Sequence, residues 1–248
     1  MSPVSAMSPA IRNSLLLLLA CAAGAIDAVS YLGLGRVFTA NMTGNTVLLG
    51  LALVQADLQE ALRASLALVG FLGGAAMGTW VVEQGPPAGM WPRTVTIALT
   101  LEWSFLCVFA VGWPLSGGVS ATLAARSLFV VLSALAMGVQ SAAARRLDVS
   151  GIATTYITGT MTSLAGRLMG WVRGRGATTS IPQRAGVAEM TPPRQTLRGV
   201  GLLAAVWGVY IGGAVVAGAS MRLSPELVVV FPLVVLLVVV AVAAVRGP

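Results

Sequence analysis

Apolar residues run through this chain in blocks about as long as a bilayer is thick, and short polar interruptions divide one block from the next. A hydrocarbon core of about 30 Å takes roughly 20 predominantly apolar residues in helical form. By that measure the pattern predicts six spanning helices, at about 14–34, 62–82, 94–113, 121–142, 199–220 and 226–246. The run Leu48–Val54 is apolar but too short to span alone. The expected fold is therefore all-α and transmembrane, a single membrane domain over 1–248.

Two interruptions differ from ordinary loops. Residues 38–47 read Phe-Thr-Ala-Asn-Met-Thr-Gly-Asn-Thr-Val, and residues 153–162 read Ala-Thr-Thr-Tyr-Ile-Thr-Gly-Thr-Met-Thr. Laid over each other without a gap, they match at Thr39/Thr154, Thr43/Thr158 and Gly44/Gly159. Such sequences suit a helix start: Thr and Asn side chains cap free N–H groups, Gly tolerates unusual dihedrals, and the positive end of the helix dipole favours a nearby anion or carboxylate. Their plainer reading is a pair of N-caps on ordinary short helices.

Around these passages the order of segments repeats. Span, polar passage with short helix, glycine-striped span and span occupy 14–113, and the order recurs over 121–246. If both passages dip into the membrane and return, each half has three spans and the halves are oppositely oriented. Arg12, Arg93, Arg145, Arg146, the Arg-rich 167–198 stretch and Arg246 then lie inside, with Arg36, Arg63 and Arg222 outside. If both passages cross, there are eight spans, the halves are parallel, and the charge bias weakens. The positive-inside rule favours the inverted 3+3 arrangement, and in either version the termini and the basic loop 172–198 are cytoplasmic.

Within the spans, polar residues are few enough to name. Asp27 lies in the first span and Glu102 about two turns into the third. An acid at membrane depth costs several kcal/mol and faces a bundle interior or a wet cavity. Asp27 is thus a site candidate, against a structural pairing with Arg or with backbone at a helix break. Glu102 is a second candidate, against snorkelling toward water. Arg126 is placed to snorkel or to pair with either acid. Gly138 and Gln140 precede the second passage much as Gly24 and Asp27 precede the first. Gly70, Gly74 and Gly78, then Gly208 and Gly212, strip helix faces for close packing and offer a route to a homo-oligomer. Trp91 and Trp113 bracket the third span as interfacial aromatics. Leu18-Leu19-Ala20-Cys21 fits a lipoprotein cleavage pattern, but apolar character continues beyond it, so the segment is expected to be the first membrane helix.

Composition narrows the chemistry. The chain is 57% hydrophobic and 9% charged, against about 25% charged in soluble domains. Its basic residues are all Arg, spaced between apolar runs where topology accounts for them, so nucleic-acid binding is not expected. There is no His, and Cys21 and Cys107 both lie in apolar runs, so zinc, haem and disulfide frameworks lack ligands and no cofactor is expected. No phosphate-binding loop, nucleophile elbow or dinucleotide fingerprint is present, and the chain is not expected to be an enzyme.

With Gly24-Ala25-Ile26-Asp27-Ala28, the run from Phe38 to Asn45, Gly138-Val139-Gln140 and Thr158-Gly159-Thr160 in view, the chain resembles the YoaK-like family of bacterial inner-membrane proteins over nearly its whole length. That family is a domain of unknown function, so the resemblance implies a polytopic inner-membrane protein without naming a substrate. The Arg- and Pro-rich stretch near 172–198 looks extended for the family.

The function these residues point to is a small secondary transporter or permease for a small solute, proton- or ion-coupled, since polar short segments at matching positions of two halves mark binding sites in transporters. Asp27 is the expected titratable group. Asn41, Thr43, Asn45, Thr154, Thr158 and Thr160 would line the site, with Gln140 beside it, Gly44 and Gly159 permitting the helix breaks, and Glu102 as a relay. The alternatives are a non-transporting scaffold or sensor that uses the glycine faces and basic loop, and an intramembrane enzyme built on Asp27 and Glu102.

Overall fold

The computed structural model describes residues 7–85, 89–147, 149, 157–176 and 193–247. Among them are eight α-helices: α1 Pro9–Gly33, α2 Met42–Gln55, α3 Leu58–Glu83, α4 Arg93–Leu115, α5 Leu123–Arg146, α6 Ile157–Gly176, α7 Pro193–Leu223 and α8 Val230–Arg246. Six are long and apolar enough to cross a membrane, and these are the six the hydropathy pattern predicts. The sixth is shorter at its start than expected, because Pro225–Leu227 forms a 3-10 turn before α8 begins. Helix starts follow from local chemistry: Ser8, Asn41, Asp57 and Thr122 each cap with a side-chain oxygen that accepts a first-turn N–H.

Contacts between helix ends fix the direction of each span. At one end of the bundle, here the upper end, Gly33 at the close of α1 lies against Trp113 and Met221, and Trp113 Nε1 donates to the Pro225 carbonyl at 2.7 Å. Thus α1, α4 and α7 all finish there. At the lower end, Trp91 lies beside Gly247, Thr94 Oγ1 donates to the Val82 carbonyl at 3.2 Å, and Arg146 Nη2 donates to the Gly85 carbonyl at 3.3 Å. There α3, α5 and α8 finish.

It follows that α3 starts at the upper end, where α1 stops, so α2 leaves and returns to one end without crossing. Its 14 residues extend only about 21 Å. The chain doubles back after α1 through Gly35 and Arg36, both at positive φ, and the Arg63 side chain fills the space a Cβ at Gly35 would occupy. Likewise α5 ends and α7 begins at the lower end, which brackets α6 there.

The core is built on two close helix pairs, α1 with α7 and α3 with α5. A Cβ added to Gly24 would fall 2.1 Å from the Tyr210 carbonyl oxygen, and one on Gly213 2.1 Å from that of Cys21. In the other pair, one on Gly74 would fall 2.1 Å from the Leu135 oxygen and one on Gly138 2.2 Å from that of Phe71. At these crossings backbone packs on backbone, which only Gly permits. Outside them, α4 packs on α5 and α8 on α1, while Phe109, Trp113 and Phe129 form an aromatic cluster with centroids 5.0–5.9 Å apart.

Several expectations are corrected here. The Gly70, Gly74, Gly78 stripe is filled by α5 within the chain and is not offered to a second copy. On α7 the packing glycine is Gly213; a Cβ on Gly208 or Gly212 would meet nothing within 4 Å. Trp91 and Trp113 are fully buried in protein, with Trp91 Nε1 donating to Thr96 Oγ1 at 3.0 Å, and do not sit at a lipid interface. Arg126 donates to the Val119 carbonyl rather than to Asp27 or Glu102.

Candidate functional site

Asp27 sits on α1 six residues before its end, about 9 Å into the bundle from the upper end. Its side chain is only 4% exposed and receives four hydrogen bonds. Oδ1 accepts the backbone N–H groups of Thr39 at 2.9 Å, Ala40 at 2.7 Å and Asn41 at 3.4 Å. Oδ2 accepts from Tyr210 Oη at 2.5 Å. The carboxylate therefore fastens the returning chain before α2 to α1 on one side and to α7 on the other. Hydrogen bonds to a charged group contribute about 1.5–3 kcal/mol each, and a buried acid without them would be strongly unfavourable.

The rest of the first passage is built around that anchor. Thr39 is buried with its Oγ1 3.3 Å from Ser30 Oγ, and Ser30 in turn donates to the Ile26 carbonyl at 2.8 Å. Asn45 clamps Phe38 from both sides: its Oδ1 accepts the Phe38 N–H at 2.9 Å and its Nδ2 donates to the Phe38 carbonyl at 2.5 Å. Gly44 leaves room for the Phe38 ring, which a Cβ would meet at 3.0 Å. Asn41 Oδ1 accepts the Gly44 N–H at 3.3 Å, and Asn41 and Thr43 are exposed at the mouth of the helix.

That mouth opens on a cavity of about 480 Å³. Ala40, Asn41, Met42 and Thr43 from the start of α2 line one side, and Ile157 and Thr158 from the start of α6 line another. Phe71 and Tyr210, near the middles of α3 and α7, close its inner wall, while Ser141 and Arg145 extend it along α5 toward the lower end. Arg145 is exposed and is the one charged side chain on the lining among the described residues. The two polar passages, 115 residues apart in register, thus meet at one place. A second cavity of about 410 Å³, lined by Tyr31, Arg36 and Arg126 among others, lies at the upper end and takes no lining residue from either passage.

The expected site residues divide accordingly. Asn41, Thr43 and Thr158 line the cavity. Asp27 stands behind Tyr210 as a fastening group, and Asn45 and Gly44 shape the loop. Thr160 is fully buried and Gly159 half-buried just inside α6. Gln140 is turned to α1, its Nε2 donating to the Leu19 carbonyl at 3.2 Å. Glu102 is fully buried on α4 with neither carboxylate oxygen hydrogen-bonded, and it does not line the cavity. Thr154 and most of 172–198 lie outside the residues described in full.

Sequence reasoning missed Ala40, Met42 and Ile157 on the lining and, more consequentially, Phe71, Ser141, Arg145 and Tyr210. A signal for three of them exists in the glycine crossings. Asp27 follows Gly24 by three residues, and Ser141 follows Gly138 by three; Phe71 precedes Gly74 by three, and Tyr210 precedes Gly213 by three. Counted from these glycines, Ser141 stands at the same offset from Gly138 as Asp27 from Gly24, one residue beyond Gln140.

Comparison with known proteins gives the same picture at the level of family. The model of the family described as "Protein of unknown function (DUF1275)" matches residues 15–242. The UPF0700 transmembrane protein YoaK of Bacillus subtilis (strain 168) is 41% identical over 155 residues, which is 62% of this chain and 66% of that protein, just under two thirds of its length. No solved structure matches the chain. With six apolar spans in a fold matched from α1 to α8, the chain belongs to the DUF1275 family and is a multi-pass membrane protein.

Proposed function

We propose that this protein is a secondary transporter or permease for a small solute, with the 480 Å³ cavity as its solute site. The observation that carries the reading is the meeting of two short, polar helix starts, from different halves of the chain, in one cavity at the inner wall formed by Phe71 and Tyr210. Non-helical backbone at membrane depth is tolerated where it is buried in protein or lines water, and such breaks mark the binding sites of carriers.

The reading extends to the architecture. Three helix pairings recur when the halves are exchanged: α1 with α7 becomes α5 with α3, α4 with α5 becomes α8 with α1, and α2 with α3 becomes α6 with α7, whereas the contact of α3 with α4 has no such counterpart between α7 and α8. An inverted repeat of two three-span halves accounts for this pattern, and alternating access would rock one close pair against the other. The lower end, with Arg93, Arg145, Arg146 and Arg246, faces the cytoplasm of a bacterial inner membrane on this reading. Asp27, committed to four donors, is read as a fastening group of this carrier and not as an acid–base catalyst.

The test is uptake by proteoliposomes from a mixture of small metabolites, read by mass spectrometry of the vesicle contents. At least one solute should be enriched with the wild-type chain and not with Ser141→Trp, which fills the cavity. Identical contents for wild type, Ser141→Trp and empty vesicles would overturn the proposal.

A further inference from the structure

The two helix starts that face the cavity are not chemically alike. At the α2 start the protein supplies its own anion: the Asp27 carboxylate takes the N–H groups of Thr39, Ala40 and Asn41. At the position three residues beyond the matching glycine of the second half stands Ser141, which carries no charge and lines the cavity. One helical turn further, on the same face of α5, is Arg145, which also lines it. The second half thus has a cation and a hydroxyl beside an empty volume where the first half has a carboxylate. The Thr158 hydroxyl stands across that volume at the positive end of α6.

We infer that the solute is a small organic acid whose carboxylate binds Arg145, Ser141 and Thr158 and whose apolar body rests against Phe71 and Tyr210. This rests on the cavity being the solute site, as proposed above. Arg is suited to the role because its planar fork meets a carboxylate with two parallel N–H donors and stays charged throughout. Tyr210 is held in the wall by its bond to Asp27, so its ring, rather than its hydroxyl, is left to the solute. The Asp27 carboxylate also offers little to a cationic solute, since it is buried behind Tyr210, does not line the cavity and already takes three donors on Oδ1 and one on Oδ2.

The experiment is binding to the full chain in nanodiscs, by titration calorimetry or thermal shift, with matched probes. Benzoate and phenylacetate carry the charge and the apolar body, benzamide and phenylacetamide the same body without charge, and inorganic phosphate and sulfate the charge without the body. The aromatic acids should bind, their amides should bind at least tenfold more weakly, and Arg145→Gln should remove the difference. Arg146→Gln should retain it, because that side chain bonds the Gly85 carbonyl instead. Equal binding of acid and amide, binding of the inorganic anions alone, no binding of any probe, or acid binding unchanged in Arg145→Gln would each overturn the inference. The two proposals fail separately. Cavity-dependent uptake of a neutral solute leaves the transporter and removes the acid; Arg145-dependent acid binding with no uptake leaves the acid site and removes the transporter.

Discussion

The starts of α2 and α6 share a short motif, Thr-Gly-Asn in one and Thr-Gly-Thr in the other, yet they are finished differently. The first is closed by the protein itself: Asp27 holds three backbone N–H groups and Tyr210, and Asn45 holds both polar groups of Phe38. The second faces the cavity with Ser141 and Arg145 at its side. Similar helix starts are thus finished according to what the neighbouring helix supplies, a carboxylate from α1 in one case and Ser141 and Arg145 from α5 in the other.

The strongest way to break that contrast is to remove the wall's anchor. Asp27→Ala leaves four donors without an acceptor, and at about 1.5–3 kcal/mol per bond to a charged group this should abolish the folded, monodisperse protein in detergent. Asp27→Asn keeps an oxygen for the backbone N–H groups and should lower the thermal midpoint without preventing folding. Ser141→Ala at the matching position should leave the midpoint within a degree or two. Equal losses for Asp27→Ala and Ser141→Ala would show that the two starts are not differently built.

Next in size are the glycine crossings, where the halves should behave alike. Gly24→Val and Gly138→Val each force apart two backbones now in contact, a strain of about 1–3 kcal/mol or more, while Gly212→Val meets open space and should be neutral. Thermal unfolding of the three variants checks this, and a neutral Gly138→Val would remove the equivalence from which Ser141 is matched to Asp27. A smaller loss, about 1–3 kcal/mol, is expected for Asn45→Ala, which leaves the Phe38 N–H and carbonyl unpaired.

The least effect is expected at Glu102. Its carboxyl oxygens have no hydrogen-bond partner among the described residues, so Glu102→Gln is nearly isosteric and breaks no bond, and stability should be little changed. A marked fall in thermal midpoint would mean that the carboxyl group has a partner in the folded protein.

What the sequence disclosed follows from the range of each interaction. The six spans were legible because burial in lipid demands length and hydropathy, which are local, and the two polar passages were legible because polar residues at that depth are rare. The pairing of Asp27 with Tyr210 was not, since it joins residues 183 apart and Tyr210 looks like any aromatic of an apolar helix. Gln140 drew notice as a polar residue near Gly138, whereas Ser141, at the offset from Gly138 that Asp27 has from Gly24, looks like any small residue of an apolar helix and gave no such signal. The Gly70, Gly74, Gly78 stripe correctly announced close packing, but a stripe alone does not say whether its partner lies in the chain or in a second copy.

The starts of α2 and α6 line one cavity together, and the proposed function needs them to face one another across it. That arrangement is tested most directly by cross-linking Thr43→Cys to Thr158→Cys in a chain whose own thiols have been removed by Cys21→Ser and Cys107→Ser, using a short bis-maleimide on intact membranes. A rapid intramolecular cross-link at both thiols, with solute uptake blocked while it is in place, is the predicted result. Two thiols that react singly and never join, in protein that remains folded, would contradict the account.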